Sequence, residues 1–158
     1  MSKPEISLRP VKTSDLIDLQ TLFVDTITHV CNADYTPDQI RVWSDSINNL
    51  PSWINKIVSQ YFVVAELDNK MVGYCSLENN NYIDFLYVHK DYQGRGIANK
   101  LYAEIEAEAI RCNGNSLNSD VSITARPFFE KKGFQVIQKR ISKIAGTEIV
   151  NFKMSKLL

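Results

Sequence analysis

The stretch YIDFLYVHKDYQGRGIA, residues 82–98, decides the fold of this chain because it joins a strand pattern to a helix pattern through two glycines. Residues 82–88 are mostly aromatic, aliphatic or β-branched, which is typical of a strand. Gly94 and Gly96 follow, and a helical periodicity then extends over residues 97–112. Helix N-termini bind phosphate through unpaired N–H groups and partial positive charge, and glycines allow a close approach. The stretch therefore predicts either a pyrophosphate site or simply a tight connection.

Two other phosphate-binding loops are excluded by the spacing of these glycines. The chain contains no GxxxxGK[ST] run, so a P-loop is not expected. Gly94 and Gly96 also lack the third glycine of the GxGxxG dinucleotide fingerprint. Any phosphate site at this turn therefore belongs to a different class of loop.

On both sides of this stretch, strand and helix patterns alternate in an order that predicts an α/β fold with a mixed sheet. Thr13 or Ser14 stands where the N-cap of a first helix belongs, and Thr36 with Pro37 begins a second helix. Gly114 is expected to cap the end of the helix that follows the glycine turn. We expect strands at about residues 6–9, 61–66, 71–77, 82–88, 121–123, 134–144 and 147–154, and helices at about 16–27, 37–47, 52–59, 97–112 and 124–132.

Length and composition predict one globular domain over residues 1–158. Lys plus Arg and Asp plus Glu number 18 each, so the formal net charge is zero and no nucleic-acid partner is expected. Cys31, Cys75 and Cys112 lack the spacing of a disulfide framework or a zinc site, so we expect no metal. Neither a signal-peptide pattern nor an apolar run of ~20 residues is present, which predicts a cytoplasmic protein without a membrane partner.

The segment Gln93-Gly94-Arg95-Gly96-Ile97-Ala98 resembles the signature Gln/Arg-x-x-Gly-x-Gly/Ala of the GNAT superfamily of acyl-CoA-dependent N-acyltransferases. Residues 86–92 are similar to the family's approach to that signature, residues 125–134 to its second motif, and residues 6–10 to its first strand. The resemblance covers essentially the whole chain. It implies a single GNAT domain, with a mixed, mostly antiparallel sheet of six to seven strands splayed at the cofactor site and about four flanking helices.

The resemblance also implies acetyl-CoA as co-substrate. Backbone N–H groups of the signature bind the pyrophosphate in the family, Gln93 braces the turn, and the preceding strand pairs with the pantetheine arm. A backbone N–H of that strand faces the acetyl carbonyl, as in an oxyanion hole. The cofactor-binding residues implied in this chain are Leu86, Tyr87, Val88, Gln93, Gly94, Arg95, Gly96, Ile97, Ala98, Phe128 and Phe129.

Two positions depart from the catalytic pattern of the family. Tyr82 stands where many relatives have a Glu, and Asp84, two residues later on the same strand face, is the candidate base, acting through a water. The alternative, given equal weight, is that Asp84 only holds a loop or a neighbouring side chain. Phe129 stands where many relatives have a Tyr that protonates the CoA thiolate, and a phenyl ring has no proton to donate. Tyr82, Tyr74 or solvent then remains for that role.

The acceptor side is less defined by sequence. His29, Tyr35 and Trp43 fall in the helix–loop–helix region that forms an acceptor wall in similar proteins, although each also fits a core or surface position. The resemblance implies direct transfer, in a ternary complex, to a primary amine of a small molecule, an amino-acid derivative or a peptide. Two alternatives stay open, an acyl-CoA-binding module without transfer and an unrelated nucleotide-binding domain. Monomer and homodimer are both compatible with the sequence.

Overall fold

The computed structural model describes residues 4–158 and shows, within them, a seven-stranded sheet with five α-helices. The strands are β1 (Ser7–Pro10), β2 (Tyr61–Leu67), β3 (Lys70–Glu78), β4 (Tyr82–Val88), β5 (Ser116–Ser122), β6 (Gln135–Ile144) and β7 (Thr147–Leu157). The helices are α1 (Leu16–Val30), α2 (Pro37–Ser44), α3 (Leu50–Ser59), α4 (Ile97–Arg111) and α5 (Arg126–Lys131). Short 3₁₀ turns lie at Thr13–Asp15, Asp45–Asn48 and Lys90–Tyr92. No helix in the described part is long and apolar enough to cross a membrane.

The sheet is mixed and opens at its centre. Its strand order is β1-β2-β3-β4-β5-β7-β6, and every neighbouring pair is antiparallel except β4 and β5. These two parallel strands form a ladder pair only at Tyr82 and Asn118, supported by a hydrogen bond from the Ser119 hydroxyl to the Ile83 carbonyl (2.8 Å). The strands separate beyond that point. The expected mixed, mostly antiparallel and splayed sheet is therefore confirmed.

Two hydrophobic cores hold the helices on the two faces of the sheet. On one face, the α4 residues Leu101 and Ile105 are completely buried against the sheet. On the other face, Leu19 and Phe23 of α1 and Trp53 of α3 pack on the aromatic residues of the central strands. Burial of each such side chain stabilises the folded state by about 1.5–3 kcal/mol. The two packed layers fix the positions of β4, α1 and α4, between which the site lies.

The two N-terminal helix starts differ in how well the sequence predicts them. Thr36 caps α2 as expected, since its hydroxyl accepts from the Gln39 N–H (3.2 Å) and the Gln39 side chain accepts from the Thr36 N–H (2.8 Å). The prediction of Thr13 or Ser14 as the cap of α1 is wrong, because both belong to a 3₁₀ turn and Asp15 occupies the cap position. The Asp15 carboxylate instead binds Arg9 of β1.

The end of α4 also differs from its prediction. The left-handed residue is Asn113 (φ 61°), and Gly114 is not left-handed. The Gly114 N–H donates to the Ala109 carbonyl (2.8 Å), and a Cβ at position 114 would lie 2.8 Å from the same oxygen. Glycine is thus required by a close approach of two backbone segments rather than by its φ angle.

Strand β5 is longer than predicted, beginning at Ser116 rather than near Val121. Its sequence, SLNSDVS, has small polar residues at most positions, which hides a strand from a hydrophobicity pattern. The strand is stabilised by antiparallel pairing along its whole length with β7. Its polar face borders the central opening of the sheet.

Candidate functional site

A β-bulge in β4 shapes the centre of the site. Between the pairs Cys75–Leu86 and Leu77–Ile83, β4 contains one residue more than β3. The Phe85 N–H therefore donates to the Ser76 side-chain hydroxyl (3.1 Å) instead of a ladder carbonyl. A bulge bends its strand and redirects the neighbouring side chains. This bend accompanies the separation of β4 from β5.

A first cavity, of about 240 Å³, lies in the gap between β4 and β5. We call it the donor cavity. Leu86, Tyr87 and Val88 form one wall, and the end of β5 forms the other. It is closed by Phe128 and Phe129 and by the end of α1, with Thr26, Val30 and Cys31.

Backbone groups of β4 face this donor cavity without strand partners. The His89 N–H donates to the Val72 carbonyl (2.8 Å), which sets the alternation of backbone directions along β4. By that alternation, the N–H groups of Leu86 and Val88 point towards the gap. The Val88 carbonyl on the same side already accepts from the Thr26 hydroxyl (2.9 Å) and the Gln93 amide (2.7 Å). The gap thus presents backbone hydrogen-bond donors with which an extended ligand can pair.

The glycine turn lies at one end of the donor cavity. Gly94 (φ 71°) and Gly96 (φ 80°) are both left-handed, and a Cβ added at either would meet no atom within 4 Å. Gln93 braces the turn as expected through its bond to Val88. Arg95 lies over the Tyr92 ring, 4.8 Å from its centroid. A shallow recess of about 220 Å³ includes Gly94, Gly96, Ile97 and Ala98, and it shares Val88, Gln93, Ala98 and Phe128 with the donor cavity.

A second cavity, of about 430 Å³, lies on the other side of β4. We call it the acceptor cavity. Its walls come from α1, α2, α3, β4 and the β6–β7 hairpin. Seven aromatic residues line it, Phe23, Tyr35, Trp43, Trp53, Tyr82, Phe85 and Tyr87, together with the charged residues Lys56, Asp84 and Asp120.

The two cavities meet. Five residues line both of them: Trp43, Asp84, Tyr87, Asp120 and Ser122. A group bound in one cavity is therefore next to a group bound in the other across this short common wall. The hydroxyl of Ser122 accepts from the Ala125 N–H (3.0 Å), so it is held by the start of α5.

Asp84, the predicted base, lies at this junction but is not free. Its Oδ2 atom accepts from the Lys56 ammonium (2.5 Å) and from the Gln60 amide (2.8 Å). The Lys56 Nζ atom also lies 5.0 Å from the centroid of the Phe85 ring. Oδ1 has no hydrogen-bond partner among residues 4–158. Asp84 is thus compatible with both hypotheses, a base and a residue that holds neighbouring groups. Its Oδ2 atom holds neighbouring side chains, and its Oδ1 atom is available to a ligand or water.

Tyr82 lines the acceptor cavity on the same side as Asp84, as the strand alternation predicted. Its hydroxyl donates to Asp120 Oδ2 (2.9 Å), while Arg140 binds Asp120 Oδ1 (3.1 Å). Burial, followed by the bond to Asp120, raises the pKa of the Tyr82 hydroxyl well above its ordinary value. The Tyr82 proton is therefore committed to Asp120.

Two of the predicted catalytic and acceptor residues do not reach either cavity. The Tyr74 ring is completely buried under α1, and its hydroxyl donates to the Leu19 carbonyl (3.0 Å). His29 is exposed on the outer face of α1. The structure therefore removes Tyr74 as a proton donor and His29 as an acceptor-wall residue. Tyr74 is the ladder partner of Tyr87, so the two side chains lie on the same face of the sheet. That face packs against α1.

The other two predicted acceptor residues do line the acceptor cavity. Tyr35 is buried, and its hydroxyl donates to the Val150 carbonyl (2.7 Å) and accepts from the Ile123 N–H (2.9 Å). Tyr35 thereby ties the loop after α1 to the ends of β5 and β7. Trp43 packs edge-on against the Tyr35 ring, with centroids 5.3 Å apart.

Phe129 stands at the position where many members of the GNAT superfamily have a tyrosine. Its ring is 4% exposed and packs edge-on against Phe134, with centroids 5.0 Å apart. It also forms part of the donor-cavity wall with Phe128. Because Phe129 is buried among apolar rings, a phenyl side chain suits this position as a packing residue.

Several residues of the site were missed by the sequence patterns. Lys56 and Gln60 are one turn apart near the end of α3, and Asp120 lies in the polar strand that hydrophobicity did not reveal. An i, i+4 pair of polar residues is a visible signal for a shared helix face. Nothing in the local sequence shows that this face meets Asp84. Cys31 was noted only as an unpaired cysteine, yet it lines the donor cavity.

The sequence and the fold both match known acetyltransferases. A family model described as an acetyltransferase (GNAT) domain matches residues 31–156. An uncharacterized N-acetyltransferase of Escherichia coli K12, YafP, is 31% identical over 150 residues, covering 94% of each chain. The crystal structure of a GCN5-related N-acetyltransferase from Rhodopseudomonas palustris superposes with a TM-score of 0.93 at 31% identity, over 100% of this chain and 98% of that one. The PaiA N-acetyltransferase of Thermoplasma acidophilum, solved with coenzyme A, superposes with a TM-score of 0.79 at 20% identity, over 98% and 99%.

Proposed function

The chain belongs to the GNAT family of acetyl-CoA-dependent N-acetyltransferases, and on that premise we propose that it transfers the acetyl group directly to a small primary amine held in the acceptor cavity. The observation behind this proposal is the common wall of the two cavities. A donor and an acceptor that occupy them at the same time have their reacting groups next to each other. Such positioning of two reactants is itself a large part of catalysis.

The donor side fits acetyl-CoA from the pyrophosphate to the thioester. The open left-handed glycines and the N-terminus of α4 offer N–H groups to the pyrophosphate. The free N–H groups of Leu86 and Val88 offer pairing to the pantetheine amides and, at the end of the arm, to the thioester oxygen. PaiA, which shares the fold, was solved in complex with coenzyme A, and this supports a coenzyme A site in the present chain.

The acceptor side favours a small amine with an apolar body. Seven aromatic residues line a volume of about 430 Å³, which is the size of a small-molecule pocket. Both acidic residues of the cavity already have cationic partners, Asp84 with Lys56 and Asp120 with Arg140. A strongly cationic peptide therefore finds little uncompensated negative charge there.

The chemistry needs one base and no covalent intermediate. The acceptor ammonium loses a proton to Oδ1 of Asp84, directly or through a water, and the neutral nitrogen attacks the thioester carbon. The C–N bond forms as the C–S bond breaks, and sulfur takes the bonding electron pair as a thiolate. The acylated nitrogen, which carries a positive charge at that point, releases its second proton to water and becomes the neutral amide. Cys31 lines the donor cavity, but burial raises the pKa of its thiol, which keeps it protonated and a weak nucleophile. Direct transfer follows.

A second candidate function is an acyl-CoA-binding module that does not turn over. Two observations favour it: Phe129 has no proton to donate, and Lys56 occupies one oxygen of the proposed base. Turnover with any amine excludes this candidate.

The test is release of CoA thiol from acetyl-CoA in the presence of a panel of amines, with the acetylated product identified by mass spectrometry. We expect turnover with apolar primary amines and little with basic peptides. The Asp84→Asn variant should lose about 10²–10⁴-fold in rate, as for loss of a general base. Asp38→Asn, on an exposed surface of α2, is the matched control and should retain full activity. Acetyl-CoA binding without turnover of any amine would instead favour the binding module.

A further inference from the structure

The developing thiolate of CoA has no assigned stabilising group in the site described so far. Four tyrosines lie close to the junction of the cavities or pack beside it. The hydroxyls of Tyr35, Tyr74 and Tyr82 are each committed as donors, to Val150, Leu19 and Asp120. Phe129 has no hydroxyl. The fourth tyrosine is Tyr87.

Of these four tyrosines, Tyr87 is the one that lines both cavities. Its ring is held by aromatic contacts with Phe23 (centroids 5.0 Å apart), Tyr74 (5.8 Å) and Phe85 (5.9 Å). A ring packed on several sides keeps its hydroxyl in one place. The hydroxyl proton is not donated to any protein acceptor among residues 4–158, and the nearby Trp43 indole acts to lower the pKa of this hydroxyl, against the effect of burial.

We propose that the Tyr87 hydroxyl donates a hydrogen bond to the CoA sulfur as the thioester C–S bond breaks, and so takes the place of the tyrosine absent at position 129. This inference rests on the proposed function, since it requires acetyl-CoA in the donor cavity. It assigns to Tyr87 a side-chain role, in addition to the backbone role of its strand.

The proton remains on the tyrosine oxygen in this step. Sulfur receives the electron pair of the C–S bond, and the hydrogen bond stabilises the negative charge that results. Burial, the largest cause, raises the pKa of Tyr87, with Cys31, Asp84 and Tyr35 adding to the increase and Trp43 opposing it. Tyr87 is therefore expected to keep its proton at neutral pH and to act as a neutral donor. The thiolate takes its proton from solvent after it leaves the site. The ammonium gives its first proton to Asp84, directly or through a water, and the acylated nitrogen gives its second proton to water.

The experiment compares Tyr87→Phe with the wild type, in the complex with CoA itself, so that the unknown acceptor is not needed. The thiolate of bound CoA is titrated by its ultraviolet absorbance, as the difference between the complexes with CoA and with desulfo-CoA. Loss of a hydrogen bond to a charged sulfur should raise the pKa of the bound thiol by about one to two units. With an acceptor from the amine panel, kcat should fall about 10- to 100-fold while KM for acetyl-CoA changes little.

Tyr74→Phe is the matched control, because it removes a buried hydroxyl of the same aromatic cluster that reaches neither cavity. Its bound-thiol pKa should equal that of the wild type. Trp43→Phe provides a second variant, and it should raise the bound-thiol pKa by a smaller amount than Tyr87→Phe. If CoA binds to Tyr87→Phe and its thiol titrates as in the wild type, the role of Tyr87 is wrong. A wild-type protein that does not bind CoA overturns the proposed function, and this inference with it.

Discussion

At the scale of single residues, a glycine can be needed for two reasons at the glycine turn: its left-handed φ angle, and the space that it leaves for a ligand. A comparison of Gly96 with Gly146 separates these two reasons. Gly96 and Gly146 have nearly the same left-handed φ, 80° and 81°, and an added Cβ has open space at both. Gly96 begins α4 beside the donor cavity, whereas Gly146 lies in the β6–β7 turn. The two positions therefore differ in their distance from the proposed pyrophosphate site and not in their local strain.

We expect Gly96→Ala and Gly146→Ala to lower the free energy of unfolding by a similar amount, about 1–2 kcal/mol, because L-residues are strained in the left-handed region. The affinity for CoA, measured by calorimetry, should fall only in Gly96→Ala, since its Cβ enters the space left for the pyrophosphate. Equal CoA affinities in the two variants would contradict the placement of the pyrophosphate at this turn.

At the scale of elements, the bulge in β4 depends on one side chain of the neighbouring strand. The completely buried Ser76 hydroxyl accepts the Phe85 N–H, which the extra residue has taken out of the ladder. Without that hydroxyl, a backbone donor is left unsatisfied in the core.

Ser76→Ala should therefore cost about 1–3 kcal/mol of stability, read from chemical unfolding. It should also lower the transfer rate, because Asp84 lies in the bulge and Tyr87 lies two residues beyond it. Ser59→Ala, at an exposed position of α3, controls for the loss of a serine hydroxyl and should change neither quantity. A Ser76→Ala protein with wild-type stability would show that the bulge does not need this bond.

The first strand and first helix are joined by an ion pair whose pH dependence is specific. Arg9 binds both oxygens of Asp15, each at 2.9 Å, and also Glu66 at 2.6 Å. Hydrogen bonding from Arg9, the largest cause, holds the pKa of Asp15 below its ordinary value of 3.8. A lowered folded-state pKa means that the ion pair stabilises the fold above the ordinary pKa and ceases to do so as pH falls through the lowered value.

The Asp15→Asn variant should accordingly be less stable than the wild type by about 1–3 kcal/mol at neutral pH. The difference should shrink below about pH 4 and vanish once Asp15 is protonated in both states. Unfolding midpoints of both proteins across pH 2–7 measure this difference. A difference that stays constant with pH would show that packing, rather than the charge of Asp15, accounts for the loss.

At the scale of the whole molecule, the sequence predicted what depends on local pattern and missed what depends on tertiary contact. Strand β4 has the predicted bounds, and Tyr82 and Asp84 share the acceptor cavity because side chains alternate along a strand. Their partners could not be read locally, since Lys56 is 28 residues away from Asp84 and Asp120 is 38 residues away from Tyr82. Tyr74 was predicted for its hydroxyl and His29 for its place in the helix–loop–helix region, but Tyr74 is buried under α1 and His29 is exposed on α1.

The junction between β4 and β5 is the part of the molecule that a bound ligand should stabilise most. The two halves of the sheet are joined between β4 and β5 by a single ladder pair, so this seam has few backbone bonds of its own. A ligand that pairs with the free N–H groups of β4 adds bonds at the weakest part of the sheet. A ligand that binds only the folded state, at 100 times its dissociation constant, stabilises it by about 2.7 kcal/mol.

We therefore expect CoA and acetyl-CoA to raise the unfolding midpoint by about 5–10 °C at such concentrations, from the usual relation between free energy and midpoint for this size. ATP and NAD at the same concentrations should shift it much less, because they lack a pantetheine arm to lie along β4. Amide hydrogen exchange should slow most at Leu86 and Val88. A larger midpoint shift with ATP or NAD than with CoA would favour the alternative of an unrelated nucleotide-binding domain. A midpoint shift with CoA but without slower exchange in β4 would show that CoA binds at the glycine turn only.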